Sequence, residues 1–412
     1  MVAVFVRLVL SGISLRGASR ALEIVGAALG FAGHVPHWTT GRWWLQRLGL
    51  AALLRPKEQA DDWVWLLDHS VQIGKCKCLV ILGIRLRDLP PPGQPLCHQD
   101  LVLLALVPME TSTAETVYQH LEATVPLTGV PRVLLDDHGS DLVGGASRFQ
   151  AHHPDTVEIY DIKHKAACVL KARLEKDPRW QKFQTLVGQT RCAIQQTELA
   201  FLVPPGPKPK ARFMNLAPLL TWGTQTLTLV ERPPAPVLER TRVERLQEKL
   251  GWLTEFRAAL SEWGEWQAVV DAAVAFVGTQ GYSAGAADAL AKAFPAPLAH
   301  PSSAALADAL RTFAADEAGK ARPGERLPGS TEVLESCFGK FKALEKDQAK
   351  GGFTQLLLAF GSLVADTTSH AITAALQLCH THDVVDWCAR NLGMTIFAQR
   401  KQAYAAVKAQ QN

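Results

Sequence analysis

The sequence predicts an α/β protein: a mixed five-stranded sheet, preceded by a helical module and interrupted late in the chain by a large all-α insertion. Three observations carry that expectation. The hydrophobic period changes from helical to strand-like near residue 60. Three apolar runs then follow one another before a helix appears, and after Tyr160 strand-like runs stop. At 412 residues the chain can hold two or three domains around a large core. Its 48% hydrophobic and 20% charged content excludes a disordered or collagen-like chain.

Residues 1–56 read as a helical module. Ser14-Leu15-Arg16-Gly17 opens one helix, and Val35 to Thr40 leads into another, Gly41 to Leu48. Two helices joined by a Gly-containing connection, the second carrying Arg42, Gln46 and Arg47, fit a helix-turn-helix. Arg7, Arg16, Arg20, Arg42, Arg47 and Arg55 face a single acid, Glu23, over this stretch, so it suits a polyanion. The candidate DNA contacts here are Arg16, Arg20, Thr39, Thr40, Arg42 and Arg47; the plain alternative is a solvated helical face. The first apolar run, Met1 to Leu10, is broken by Arg7 and too short for a bilayer, and no small-residue cleavage site follows it. No membrane partner is expected. The Cys residues are scattered without zinc spacing, and reduced cytoplasmic thiols are expected.

Residues 57–164 carry the strands. Trp63 to Asp68 is the first, followed by a turn at His69 to Gly74, then Cys78 to Ile84 and Leu101 to Val107. Ser112-Thr113-Ala114-Glu115 has capping-box spacing and starts a helix to about Ala123. Val130 to Leu135, a short helix at Ser147 to His152, and Val157 to Tyr160 complete the order β-β-β-α-β-α-β. That order makes a sheet with one antiparallel edge. Residues 165–329 are helical in pattern, broken by Pro-rich stretches at Pro204 to Lys210 and Pro233 to Pro236. Residues 330–412 return to helices and end in a basic tail with Arg400, Lys401 and Lys408.

The informative feature is which acids follow which strands. Asp68 follows the first, and Asp137 the fourth, in Leu134-Leu135-Asp136-Asp137-His138-Gly139-Ser140-Asp141. Glu335 stands in Ser330-Thr331-Glu332-Val333-Leu334-Glu335, at the head of a late helix. Adjacent strands bring the two Asp carboxylates to one sheet edge, and a helix packed there supplies the Glu. Hard cations such as Mg²⁺ take oxygen ligands. Two of them roughly 3.5–4 Å apart stabilise both oxygens of an in-line phosphoryl displacement. Singly, each acid is an ordinary turn or cap residue.

With those residues in view, the chain resembles the DDE transposases of bacterial insertion sequences and the RNase H-like core they share with retroviral integrases. Asp137-His138-Gly139 is similar to the second-Asp motif of that superfamily, and Glu335 followed by Lys340 and Lys342 is similar to its third motif. Tyr160-Asp161-Ile162-Lys163-His164 resembles a signature of Mutator-like and hAT-like members, which also place a large helical insertion ahead of the Glu, as the gap of roughly 200 residues does here. The resemblance implies a catalytic, metal-binding triad of Asp68, Asp137 and Glu335 with two Mg²⁺ (or Mn²⁺) ions. It implies supporting roles for Asp161, His164, Glu332 and Lys342, and DNA contacts from Lys340 and from the Pro-rich loop residues Lys208, Lys210 and Arg212. The implied partners are terminal inverted repeats and target DNA, bound by a homo-oligomer in the bacterial cytoplasm at the nucleoid. Asp136 stays open as an alternative to Asp137, and Glu332 to Glu335. An inactive DNA-binding descendant and a nuclease without strand transfer are the competing functions.

Overall fold

The structure, a computed structural model, describes residues 1–30, 33–73, 76–206, 213, 216–239, 241–346, 355–392 and 404. The chain divides into two units: Met1–Ile159 with Thr331–Asn412, and Tyr160–Ser330. Residues 1–56 therefore cluster with the sheet.

The first unit opens with helices α1 (Val2–Leu10), α2 (Leu15–Ala28) and α3 (Trp38–Leu54). Ser14 caps α2, its hydroxyl accepting from the Gly17 N–H at 3.0 Å. The connection between α2 and α3 runs from Leu29 to His37, longer than the ~3–4-residue turn of a helix-turn-helix. Then come β1 (Trp63–Ile73), β2 (Cys76–Arg85), β3 (Val102–Met109), α4 (Ala114–Thr128), β4 (Val133–Asp136), α5 (Ser140–His152) and β5 (Val157–Tyr160). They form one five-stranded sheet in the order β3-β2-β1-β4-β5, antiparallel from β3 to β1 and parallel between β1 and β4.

Three boundaries depart from the expected ones. No turn begins at His69: β1 continues to Ile73, with His69 opposite Leu79 and Ser70 opposite Cys78, so Asp68 lies inside a long hairpin. Backbone pairing with β2 sustains the strand where the side chains lose their apolar pattern. Helix α4 is capped by Thr113 with Thr116, one residue later than expected. Helix α5 reaches back to Ser140 across Gly144 and Gly145. Both glycines are packing requirements, since a Cβ would lie 2.6 Å from Ala114 Cβ at Gly144 and 2.5 Å from Val117 Cγ1 at Gly145.

Side-chain alternation sorts the sheet into two covered faces. On one, Trp65, Leu67, Leu79, Ile81, Leu104 and Leu134 pack against Val117 and Leu121 of α4 and Leu142, Ala146 and Phe149 of α5. On the other lie Val64, Leu66, Val80 and Leu82, all fully buried. There α3 packs on β3, and α14 (Glu332–Lys346, numbered after the second unit's α6–α13, given below) packs on β1. The 3₁₀ helix Gln355–Leu363 joins them, with the Phe360 ring tilted against Phe338 and edge-on to Phe341 of α14. Strands covered on both faces need apolar residues on both, which is why β1 and β2 read as continuous runs.

The second unit comprises α6 (Ile162–Leu174), α7 (Pro178–Ile194), α8 (Ala217–Glu231), α9 (Ala235–Leu238), α10 (Val243–Leu250), α11 (Arg257–Gln280), α12 (Ala286–Ala293) and α13 (Pro301–Ala318). Trp180, Phe183, Phe256 and Trp263 form its aromatic centre, with Trp180 and Trp263 edge-to-face at 5.1 Å. The first unit closes with α15 (Ser369–Leu378) and α16 (Thr381–Asn391). Among the described residues, no helix is long and apolar enough to cross a membrane.

The α3 contact with the 3₁₀ helix is backbone on backbone: a Cβ at Gly49 would stand 1.7 Å from the Leu358 carbonyl oxygen. Gly49→Ala is expected to destabilise the protein by about 1–3 kcal/mol or more through overpacking. Gly188→Ala, in the exposed middle of α7 with nothing within 4 Å, is expected to stabilise it by about 0.5–1 kcal/mol. Urea unfolding of both variants checks the contrast, and equal midpoints would contradict it.

Candidate functional site

Asp68, Asp136 and Asp137 follow the end of the β1–β4 pairing, close enough for the charges of Asp68 and Asp137 to act on Asp136. The strands run parallel with Leu66 opposite Leu135, the last pair of the β1–β4 register, and Asp68 and Asp137 each follow two residues on. Asp136 alternates to the face of Leu134 and is fully buried. Its Oδ1 accepts from the His138 N–H at 2.7 Å, while its Oδ2 is buried with no hydrogen-bond partner. Burial pushes the Asp136 carboxyl up to about 8, and the charges of Glu158, Asp137 and Asp68 add to the rise against the His138 N–H. Asp136 is thus the buried member of the pair, and Asp137 is the one bound by the Gly139 N–H.

The turn after β4 is built to hold these carboxylates. His138 has φ 63°, left-handed backbone that non-glycine residues seldom adopt. Gly139 donates its N–H to Asp137 Oδ1 at 2.9 Å and begins α5. A Cβ on Gly139 would lie 3.2 Å from Asp137 Oδ1 and 3.3 Å from Asp141 Oδ1, closer than such contacts normally come. That is the physical content of the Asp-x-Gly spacing. His138 Nε2 stands 3.6 Å from Glu158 Oε1, and the His69 N–H donates to Asp68 Oδ1 at 2.6 Å. Burial opposes ionisation of Asp141, yet Ser112, His69 and Lys77 hold its carboxyl below the ordinary value.

Helix α14 brings Glu335 to this unit on the element that packs against β1. Glu335 is half-buried in its first turn, and Glu332 is exposed. Lys342 is exposed two turns on, and Lys340 donates to His98 Nδ1 at 3.1 Å. Oxygen donors with one buried and unpartnered fit a hard cation in kind. Among the described residues, no three His, Cys, Asp or Glu side chains stand close enough together to hold one.

Asp161 and His164 belong to the second unit. Asp161 is buried and caps α6, its Oδ1 accepting from the His164 N–H at 2.7 Å. His164 Nδ1 lies 2.9 Å from the same oxygen. A proton on Nδ1 donated to Asp161 leaves Nε2 as the acceptor nitrogen.

The expected DNA contacts divide. Arg16 lies over the Trp38 ring at 5.1 Å, and with exposed Arg20 it lines a groove of about 750 Å³ between α2 and the start of α3. Thr39 and Thr40 are exposed beside it. Arg42 is half-buried, and burial lowers its guanidinium from the ordinary value. Arg47 donates to the carbonyls of Cys379 and Leu376 at the end of α15, the former at 2.7 Å. Gln46 is fully buried. Lys208, Lys210 and Arg212 lie outside the described residues, as do Arg400, Lys401 and Lys408.

Sequence reasoning passed over Glu158, Ser112, Lys77 and Asp141. For Glu158 a signal was present, since it alternates with buried Ile159 on β5. No model of a known protein family matches the chain, and no curated protein matches it either.

Asp136 sets a pH dependence. An aspartate with an ordinary value of 3.8 holds its proton up to about 8 in the folded chain. Between those values folding takes up a proton, so in chelator the stability falls as pH rises through this window. Asp136→Asn is expected to flatten that slope and to be the more stable protein near the top of the window. Urea midpoints across the pH range check it; parallel wild-type and variant curves would remove Asp136 as the cause.

Proposed function

We propose that the chain is a DNA transposase of the DDE type, with an RNase H-like core, that cuts the ends of its own mobile element and joins them to target DNA. The observation that carries the reading is the parallel pairing of β1 with β4, with Asp68 and Asp137 each two residues past the last pair and the Glu335 helix packed on the same strand β1. The antiparallel edge continued by a parallel strand supports it as well.

In this reading Asp68, Asp137 and Glu335 supply the oxygen ligands for two Mg²⁺ or Mn²⁺ ions. When bound, such ions lower the pKa of water and neutralise charge on the phosphate. Water attacks the phosphorus in line, one P–O bond forms as another breaks, and the DNA leaves as a 3′-hydroxyl. That hydroxyl attacks a target phosphodiester in the same way and displaces a second 3′ oxygen. His164, oriented by Asp161, is a phosphate-contacting imidazole of the second unit. Lys340 and Lys342 contact the DNA backbone, where phosphate contacts fix register without reading sequence. Arg16, Arg20, Thr39 and Thr40 meet the terminal repeats, and the protein works as a homo-oligomer on paired ends in the bacterial cytoplasm.

Purified protein is incubated with DNA flanking its own coding sequence and Mg²⁺ or Mn²⁺. Cutting and joining are expected from the wild type. Asp137→Ala and Glu335→Ala are expected to bind DNA but lose roughly 10²–10³-fold or more of both activities. Variants that cut as well as the wild type would remove the carboxylate assignment. DNA binding with no cutting by any form would leave a binding protein.

The groove makes a separate prediction. Arg16→Ala and Arg20→Ala are each expected to lower the salt slope of DNA binding by about 1. Arg47→Ala, whose guanidinium is committed to α15, is expected to lower stability and leave that slope unchanged. Binding titrations over a range of salt decide between them.

A further inference from the structure

The string Asp137-His138-Gly139-Ser140-Asp141 ends on an acid that the proposed chemistry does not use. Asp141 lies in the first turn of α5, and its carboxylate is faced by groups from three other segments. Asp141 Oδ2 stands 3.7 Å from His69 Nε2 on β1 and 3.8 Å from Lys77 Nζ on β2. Ser112 Oγ, in the loop before α4, is 2.9 Å from the same His69 nitrogen and also faces the Asp141 carboxylate. At 3.7–3.8 Å neither contact is a short hydrogen bond; Lys77 adds its charge and His69 its buried ring. The side chains of His69 and Asp141 are only 13% and 18% exposed, so their surroundings are protein rather than water.

This cluster is connected to both acids of the strand edge. The residue Asp141 holds by its imidazole, His69, is the one whose backbone N–H binds Asp68 Oδ1 at 2.6 Å. In the other direction, Gly139 is clasped between Asp137 Oδ1 and Asp141 Oδ1, and its N–H binds the former at 2.9 Å. Moving the Asp141 carboxylate therefore moves the neighbours of Asp68 and of Asp137 together.

We propose that Asp141 is a positioning residue for the Asp68–Asp137 pair, fixing Asp68 through His69 and Asp137 through the Gly139 turn, with Ser112 and Lys77 completing the bracket. The proposal rests on the reading that Asp68 and Asp137 bind a divalent cation. Outer partners that orient ligating carboxylates typically matter 10–100-fold for metal affinity or activity. A merely structural ion pair would change stability and leave the metal affinity of the folded protein alone.

The test measures Mn²⁺ binding to the full chain by calorimetry or by paramagnetic resonance of free Mn²⁺, with Asp68→Ala as the reference for loss. Asp141→Asn keeps the shape and removes the charge. It is expected to bind Mn²⁺ roughly 10–100-fold more weakly and to lower kcat for DNA cleavage by a similar factor, with KM for DNA little changed. Asp141→Glu is expected to recover part of both. Ser112→Ala, a milder change away from the strands, is expected to weaken Mn²⁺ binding in the same direction, and it decides the matter should Asp141→Asn fail to fold. Folded Asp141→Asn and Ser112→Ala proteins that bind Mn²⁺ like the wild type, while Asp68→Ala does not, overturn the positioning role alone. A wild type without Asp68-dependent Mn²⁺ binding overturns the underlying reading and this inference with it.

Discussion

Like charges gathered at the end of two paired strands set the terms for this part of the fold. Asp68 and Asp137 each follow the last β1–β4 pair by two residues, and both, with Glu158, act by charge on Asp136. Carboxylates this close disfavour one another's ionisation. Three devices answer the repulsion. Backbone N–H groups of His69, His138 and Gly139 each bind one of the three aspartates. The Lys77 ammonium of the neighbouring bracket faces Asp141 at its rim. Asp136, deepest of all, keeps its proton. A divalent cation would be a fourth device, and Asp136 Oδ2, buried without a partner, shows that the first three leave polar capacity over.

Those devices require an unusual backbone. For the successive His138 and Gly139 N–H groups to turn back on Asp136 and Asp137, the chain must leave the β region within a residue or two. His138 takes the left-handed conformation, and Gly139 follows it because a Cβ would crowd two carboxylate oxygens at once. Local strain of this kind is of order 1–3 kcal/mol and persists only where the surroundings over-determine it. Here α5 provides them: its first turn follows at once, and its Gly144 and Gly145 let it lie directly on α4.

How much of this was legible depended on whether the signal was local. The strand β5, Val157–Tyr160, shows in its own four residues, and Ser14 announces α2 by its capping chemistry. The acids after β4 were readable because Asp and Gly have local turn preferences. What failed to show was settled by distant partners. Residues 69–73 look like a turn until β2 supplies the ladder. Two glycines argue against a helix at 144–145 until α4 requires them. Gln46 and Arg47 sit at helical spacing like surface residues, yet one is buried and the other caps a helix more than three hundred positions away. Asp141 stands ahead of the helix expected at Ser147 and shows no local signal, because Ser112, Lys77 and His69 come from three other segments.

The long separation between Asp137 and Glu335 follows from how the second unit is inserted. Its first and last residues are fastened to each other: the Ile162 N–H donates to the Gly329 carbonyl at 3.0 Å. Tyr282 and Leu327 exchange two backbone bonds at 2.7 and 2.8 Å, and a Cβ on Gly329 would strike the Tyr282 ring. An insertion whose ends meet adds little loop-closure entropy however long it grows, since that term rises only slowly with length. The chain can therefore leave the sheet unit after Ile159, fold a separate aromatic-centred helical unit, and return at Thr331 next to where it left. Helix α14 begins immediately on that return, so the position of Glu335 is governed by the packing of α14 on β1, not by the residues between. Sequence distance then carries no information about spatial distance, and the acid from the end of the chain is as much a part of the sheet unit as the two from its beginning.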